Sequence, residues 1–269
     1  MKLFKNYFLL LIGSIFLLSC ATVPITGRKQ LSIIPGTTML SMSLQQYSEF
    51  LNSHKLSTDQ KQTQMVKSVG ARIQKAVEKY FIENNMSEEL ENYSWKFNLV
   101  ESKEINAWCM PGGKVVVYTG ILPITGDENG LAVVMGHEIA HAIAGHGNER
   151  MSQGLALQLG GIALSTAMAK KPEATQQLWM SAFGIGAQYG LMLPYSRLHE
   201  NEADHLGMIF MAMAGYDPNT AVDFWKRMSQ KKPGKAPPEF MSTHPSDETR
   251  INNIRKLIPE VMPYYEKSR

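Results

Sequence analysis

Between Met135 and Ala144 the chain reads Met-Gly-His-Glu-Ile-Ala-His-Ala-Ile-Ala, and no other stretch restricts its fold as tightly. His137 and His141 are four apart, so in an α-helix they share one face, one turn above each other. Two imidazoles placed that way can hold a single metal ion. Glu138 projects about 100° round the helix from His137. There it sits beside the ion rather than on it, where a carboxylate can take a proton from an activated water. This is the residue pattern of metal-assisted hydrolysis. The flanks (Leu131, Ala132, Val133, Val134, then Ile139, Ala142, Ile143) are apolar, so the helix is expected inside a core. Two histidines and a carboxylate without partners would be costly there, which argues against a chance arrangement.

Zinc needs at least one further protein ligand. His146 lies five beyond His141, and the spacing His-x-x-Gly-x-x-His fails because Ala144 and Gly147 stand where Gly and His are required. His146 reads instead as a helix cap or surface residue. The better source is Leu198-His199-Glu200-Asn201-Glu202-Ala203-Asp204. Glu200 and Asp204 share a helical face, so Glu200 can complete a site of two histidines and one glutamate. Asp204, one turn on, can accept the ring N–H of a ligand histidine and fix its tautomer. Glu202 points about 200° away from Glu200 and ranks below it.

A composition of 44% hydrophobic and 19% charged residues is that of a globular chain. The formal charge of +3 drops by two if Lys2 and Lys5 leave with a leader, and no aromatic-plus-basic stripe appears, so nucleic acid is not an expected partner. The apolar run Phe8–Leu18 behind a basic start is too short to span a bilayer, which takes about 20 residues, and has the length of a signal-peptide core. It ends Leu17-Leu18-Ser19-Cys20, which resembles a bacterial lipobox. By that resemblance residues 1–19 are a lipoprotein signal peptide, Cys20 is lipidated, and residues 20–36 form an extended tether. Ala21 after the cysteine points to the periplasmic face of the outer membrane, with inner-membrane anchoring or a soluble periplasmic form as alternatives. Residues 37–269 are then the catalytic domain.

Helical spacing is expected over 37–55, after Thr58-Asp59, over 152–170 and 178–193 (two helices flanking the cleft and packed into the core, or alternatively a mobile lid or a surface for unfolded apolar chains), and over 220–228. Strands are expected at 93–100 and 114–120 with a turn at 106–113. A hydrolase of polypeptides holds its substrate extended, and an open strand edge supplies main-chain hydrogen bonds for that. Val115 and Val117, with Gly112 and Gly113 permitting close approach, are the candidates for this edge. His244, before Pro245, is a candidate to stabilise an oxyanion or to occupy the fourth metal position at rest. Arg250, and with less support Tyr195, are further oxyanion candidates.

These residues together resemble the HtpX/CaaX-prenyl-protease-like family of gluzincin metallopeptidases, and within it the periplasmic lipoprotein and β-barrel-assembly-enhancing subgroup. The matches are Pro24 to Leu31, Asn106-Ala107 with Pro111-Gly112-Gly113, the metal helix, Glu200 to Asp204, and Thr243-His244-Pro245-Ser246. The resemblance implies an α+β, mostly helical domain with a small sheet before the metal helix. It implies one Zn²⁺ per chain held by His137, His141 and Glu200, with Glu138 as general base and Asp204 supporting the site. It also implies cleavage of misfolded or unassembled envelope polypeptides. The larger relatives carry C-terminal helical repeats, so an assembly-machinery partner is not supported here. The rival expectation from a different class is a zinc-bound chaperone or assembly factor whose hydrolysis is suppressed or incidental; a third is a structural lipoprotein without metal.

Overall fold

The computed structural model describes residues 20–230, 239–245 and 248–269, so the expected leader at 1–19 and most of the basic Pro-rich loop before Phe240 lie outside it. The chain falls into two compact units, one made of residues up to Met39 with Gly145–Arg197, the other of Leu40–Ala144 with Leu198–Arg269.

The second unit is α+β and mostly helical. It takes most of α1 (Gly36–Ser53), then α2 (Gln60–Glu83), whose start is fixed by Asp59: the carboxylate accepts a hydrogen bond from Gln62 N at 2.9 Å. The α2 stripe Val66, Val69, Ile73, Val77 and Phe81 is buried, at the helical intervals of the sequence. Three strands follow, β3 (Lys96–Val100), β4 (Ala107–Met110) and β5 (Lys114–Tyr118). Their spatial order is β3-β5-β4, with β3 parallel and β4 antiparallel to β5. All of β5 is buried, as its unbroken Val-Val-Val-Tyr run requires of a strand covered on both faces.

This order corrects two expectations. β5 is central: Val115 pairs with Phe97 and Cys109, and Val117 with Leu99 and Ala107, so neither has main-chain groups to offer a substrate. The stretch expected as a turn is instead strand β4, with the turn confined to Pro111-Gly112-Gly113. Gly112 and Gly113 have φ of 83° and 77°, and a Cβ on Gly113 would lie 2.7 Å from the Trp95 ring. They shape a hairpin and press it on Trp95; they do not admit a ligand.

A short α3 (Leu122–Thr125) leads to α4 (Glu128–Ile143), capped by Asp127, whose side chain accepts from Gly130 N at 2.9 Å. Nearly every residue of α4 is buried, as a helix whose sequence is apolar on every side apart from its first two residues and His137, Glu138 and His141 demands. The unit closes with most of α7 (Leu193–Met213), then α8 (Thr220–Gln230), α9 (Glu239–Thr243) and α10 (Glu248–Lys267). α4 and α7 touch backbone to backbone. A Cβ on Gly136 would lie 2.8 Å from Gly207 O, and one on Gly207 would lie 2.8 Å from His137 N.

In the first unit the segment expected as an extended tether forms an antiparallel pair, β1 (Cys20–Thr22) with β2 (Lys29–Leu31). It is tied to α5 (His146–Met168): Arg28 donates to both oxygens of buried Glu149 at 3.1 and 2.8 Å, and Ser152 Oγ accepts from Ile33 N at 2.9 Å. α6 (Glu173–Ala187) runs on through a π-helical stretch, Gln188–Met192. The expectation of core packing over 152–170 and 178–193 is corrected here. α6 buries no residue, and Leu178 is 68% exposed. No described helix is long and apolar enough to cross a membrane.

Candidate metal centre

All the groups that converge here belong to the second unit. α4 presents His137 and His141 from its last two turns, α7 presents Glu200 and Asp204 from successive turns, and His244 follows α9, its N–H bonded to Phe240 O at 2.8 Å. His141 Nε2 lies 3.0 Å from His137 Nε2, and His244 Nδ1 lies 3.2 Å from His137 Nε2. The Glu200 carboxylate reaches all three imidazoles: 3.3 Å to His141 Nε2, 3.4 Å to His137 Nε2 and 3.0 Å to His244 Nδ1. His137, His141, Glu200 and His244 each offer one atom within 4.8 Å of the others, and all four are buried. Such a set can hold one metal ion. Glu138 stands beside it, with Oε1 3.4 Å from His244 Nε2.

Asp204 Oδ1 is 3.0 Å from His137 Nδ1, the ring atom facing away from the cluster. Arg250 grips the same carboxylate with Nε and Nη2, both at 2.8 Å, and reaches Glu200 with Nη1 at 2.8 Å. Its guanidinium stacks on Trp225, 3.5 Å from the ring centroid. The expectation that Arg250 faces a developing oxyanion is corrected: its donors are committed to Asp204, Glu200 and Pro245 O. Tyr195 falls in the first unit and is 36% exposed. His146, expected as a helix cap or surface residue, opens α5 at a helix end but is buried, and is not in the cluster. Glu202 is also outside it.

The charges follow from this packing. Burial raises the Glu200 carboxyl most, but hydrogen bonds from His137, His141 and His244 overcome it and hold the group well below the usual carboxylate range. Burial likewise opposes ionisation of Asp204, and Arg250 and His137 keep it ionised. For His137 burial again weighs most and lowers the value, yet Asp204 and Glu200 win and hold it up to about 9. His141, for which burial prevails, sits well below the usual histidine value. A cation bound here would displace the His137 proton, since a ligating imidazole must be neutral.

Sequence reading missed Gly136, Gly207 and Trp225. The two glycines left a signal, because an isolated glycine inside a helix costs stability unless packing repays it. Trp225 left none.

Residues 67–258 match the profile of peptidase family M48. The chain belongs to that family. It is 37% identical over 181 residues to the mitochondrial metalloendopeptidase OMA1 of Schizosaccharomyces pombe, covering 66% of this chain and 51% of that protein. Identity to the human mitochondrial metalloendopeptidase OMA1 is 32% over 251 residues, 90% of this chain and 47% of that one. The Escherichia coli β-barrel assembly-enhancing protease is 28% identical over 176 residues, 64% of this chain and 36% of that one. The chain thus spans about half the length, or less, of these M48 relatives. Relatives named as mitochondrial overturn the expected location on the periplasmic face of the outer membrane. Lipidation of Cys20 gains no support from them; Cys20 is exposed and opens β1.

Proposed function

We propose that this M48 chain is a zinc metalloendopeptidase that cleaves extended segments of misfolded or unassembled polypeptides. The observation that carries the reading is the convergence of three imidazoles and one carboxylate beside Glu138. Tetrahedral zinc with nitrogen ligands at roughly 2.0–2.1 Å calls for ligand atoms about 3.3–3.4 Å apart. His137 Nε2 lies 3.0 Å from His141 Nε2 and 3.2 Å from His244 Nδ1, the Glu200 carboxylate lies 3.0 to 3.4 Å from all three imidazoles, and three nitrogens with one oxygen suit that ion. Zinc held there would polarise a scissile carbonyl and acidify an attacking water.

The remaining chemistry belongs to the chain. Glu138 takes the proton of the attacking water and hands it to the leaving amine. Asp204 orients His137 through Nδ1, and Arg250, braced on Trp225, fixes Asp204 and Glu200 together. Of the two edge strands, β3 has its outer side bridged by residues 55–57, whereas β4, packed on α4, is the edge that can hold a substrate backbone, in place of Val115 and Val117. A folded domain has no extended segment to lay along it, which favours unfolded chains. Cleavage of a reduced, unfolded polypeptide should stop with a chelator and return with added zinc. Cleavage that persists in the chelator would contradict the proposal.

Four protein ligands leave no position for water or substrate, so His244 makes this arrangement a resting one. Replacing His244 with Ala should leave zinc bound and raise turnover several-fold. Unchanged kinetics would remove His244 from the site, and a large loss would make it a group that the reaction itself needs. The closed ligand set also favours a second reading, a zinc-bound chaperone or assembly factor with suppressed hydrolysis, which Glu138→Gln separates from the first.

A further inference from the structure

The α5–α6 hairpin of the first unit carries its large apolar side chains outward. Residues 151–169 and 174–196 contain no Asp, Glu, Lys or Arg. The helices meet where Phe183 of α6 lies over Gly160 and Gly161 of α5, a Cβ on Gly160 falling 3.3 Å from its ring. Other large groups are left out of that contact. Leu159 and Ile162, one turn apart on α5, are each 56% exposed. Leu178, Ile185 and Tyr189 follow at intervals of seven and four, which is one helical face, and are 68%, 61% and 68% exposed, with Trp179 beside them at 53%. An apolar face this continuous marks an interaction site, since isolated exposed leucines are ordinary but long stripes are not.

Charge identifies what covers it. The ends of the hairpin carry Arg150, Lys170-Lys171 at the tip, and Arg197. Of the two acids nearby, Glu149 is taken by Arg28, leaving Glu173. Apolar middles bracketed by basic ends match an anionic lipid surface, with acyl chains below and phosphates above. The aromatic Trp179 and Tyr189 suit the headgroup level, where an apolar ring and a polar tip are both satisfied. Neither helix is long and apolar enough to cross a bilayer, so the hairpin would lie in the surface plane. An unfolded polypeptide would need free main-chain groups or a groove, and a paired set of helices offers neither.

We propose that the α5–α6 hairpin docks in the surface of an anionic phospholipid bilayer. The inference is independent of the peptidase reading.

The test uses the full chain and vesicles of acyl-brominated phosphatidylcholine mixed with phosphatidylglycerol. The fluorescence due to Trp179 is the difference between wild type and Trp179→Phe. This localises the readout, so membrane binding by residues before Cys20 does not imitate it. Bromolipid is expected to quench the Trp179 emission. Lys170→Glu with Lys171→Glu, or vesicles of phosphatidylcholine alone, should weaken the quenching several-fold, with the helical circular dichroism unchanged. Trp179 emission indifferent to bromolipid would overturn the proposal, as would quenching that ignores both the lysines and the lipid charge. A lipid-free dimer that Leu178→Glu dissociates would give the face to a second copy and overturn it. So would shielding of Trp179 from acrylamide by an unfolded polypeptide, with bromolipid silent.

Discussion

Replacing Glu138 with Gln is expected to cut peptide hydrolysis by about 10²–10⁴-fold, the usual worth of a positioned general base, while the chain keeps its zinc. Glutamine has nearly the same volume, so the buried pocket beside His244 is not reopened. It cannot accept a proton, and it carries no negative charge beside His244. Glu138 is not one of the four groups that converge, so metal content should not move. The check is turnover on an unfolded polypeptide alongside elemental zinc on the same preparation. Loss of zinc would mean that Glu138 is a ligand. Turnover within a few-fold of wild type would deny it any part in proton transfer. If zinc stays, cleavage disappears and the cellular role persists, the chaperone reading takes over.

Gly207→Ala is expected to damage the site from a distance. The added Cβ would meet the Gly136 carbonyl carbon and His137 N, each at 2.8 Å, and both are backbone atoms that cannot swing aside. Overpacking of this kind costs about 1–3 kcal/mol. Glu200 lies seven residues before Gly207 on the same face of α7, so pushing α7 off α4 withdraws the carboxylate from His137 and His141. Misplacement by about 1 Å can cost about 100-fold in rate. Unfolding melts and zinc affinity should therefore fall together in Gly207→Ala. Gly184→Ala is the contrast: its Cβ meets nothing within 4 Å, and a helical Gly→Ala change there should gain about 0.5–1 kcal/mol. A Gly207→Ala protein as stable as wild type would show that the helices do not depend on this contact.

The parts of the site legible in the sequence are those set by spacing along one helix. His137, Glu138 and His141 need only the 3.6-residue turn to be placed, and Glu200 and Asp204 need only to be on a second helix. How these groups pair across the fold is not written in local spacing. Arg250 read as a free cation because nothing near it in sequence shows Asp204 or Trp225. β4 read as a turn because Asn106 and Pro111-Gly112-Gly113 flank four residues that could not show alternation. The order β3-β5-β4, which puts Val115 and Val117 on the central strand and leaves β3 and β4 as the edges, depends on long-range pairing. The stretches 152–170 and 178–193 read as core because their leucines and glycines look the same whether the partner is protein or something outside the chain. Resemblance to a family supplied the overall architecture; spacing alone supplied a metal-binding helix.

The most direct measurement is zinc per chain in the purified full-length protein, wild type beside Glu200→Ala, after dialysis against a weak chelator. Convergence of α4, α7 and His244 on one ion requires wild type to retain one zinc and Glu200→Ala to lose it. A wild type without zinc, or a Glu200→Ala chain that holds zinc as tightly as wild type, would contradict it.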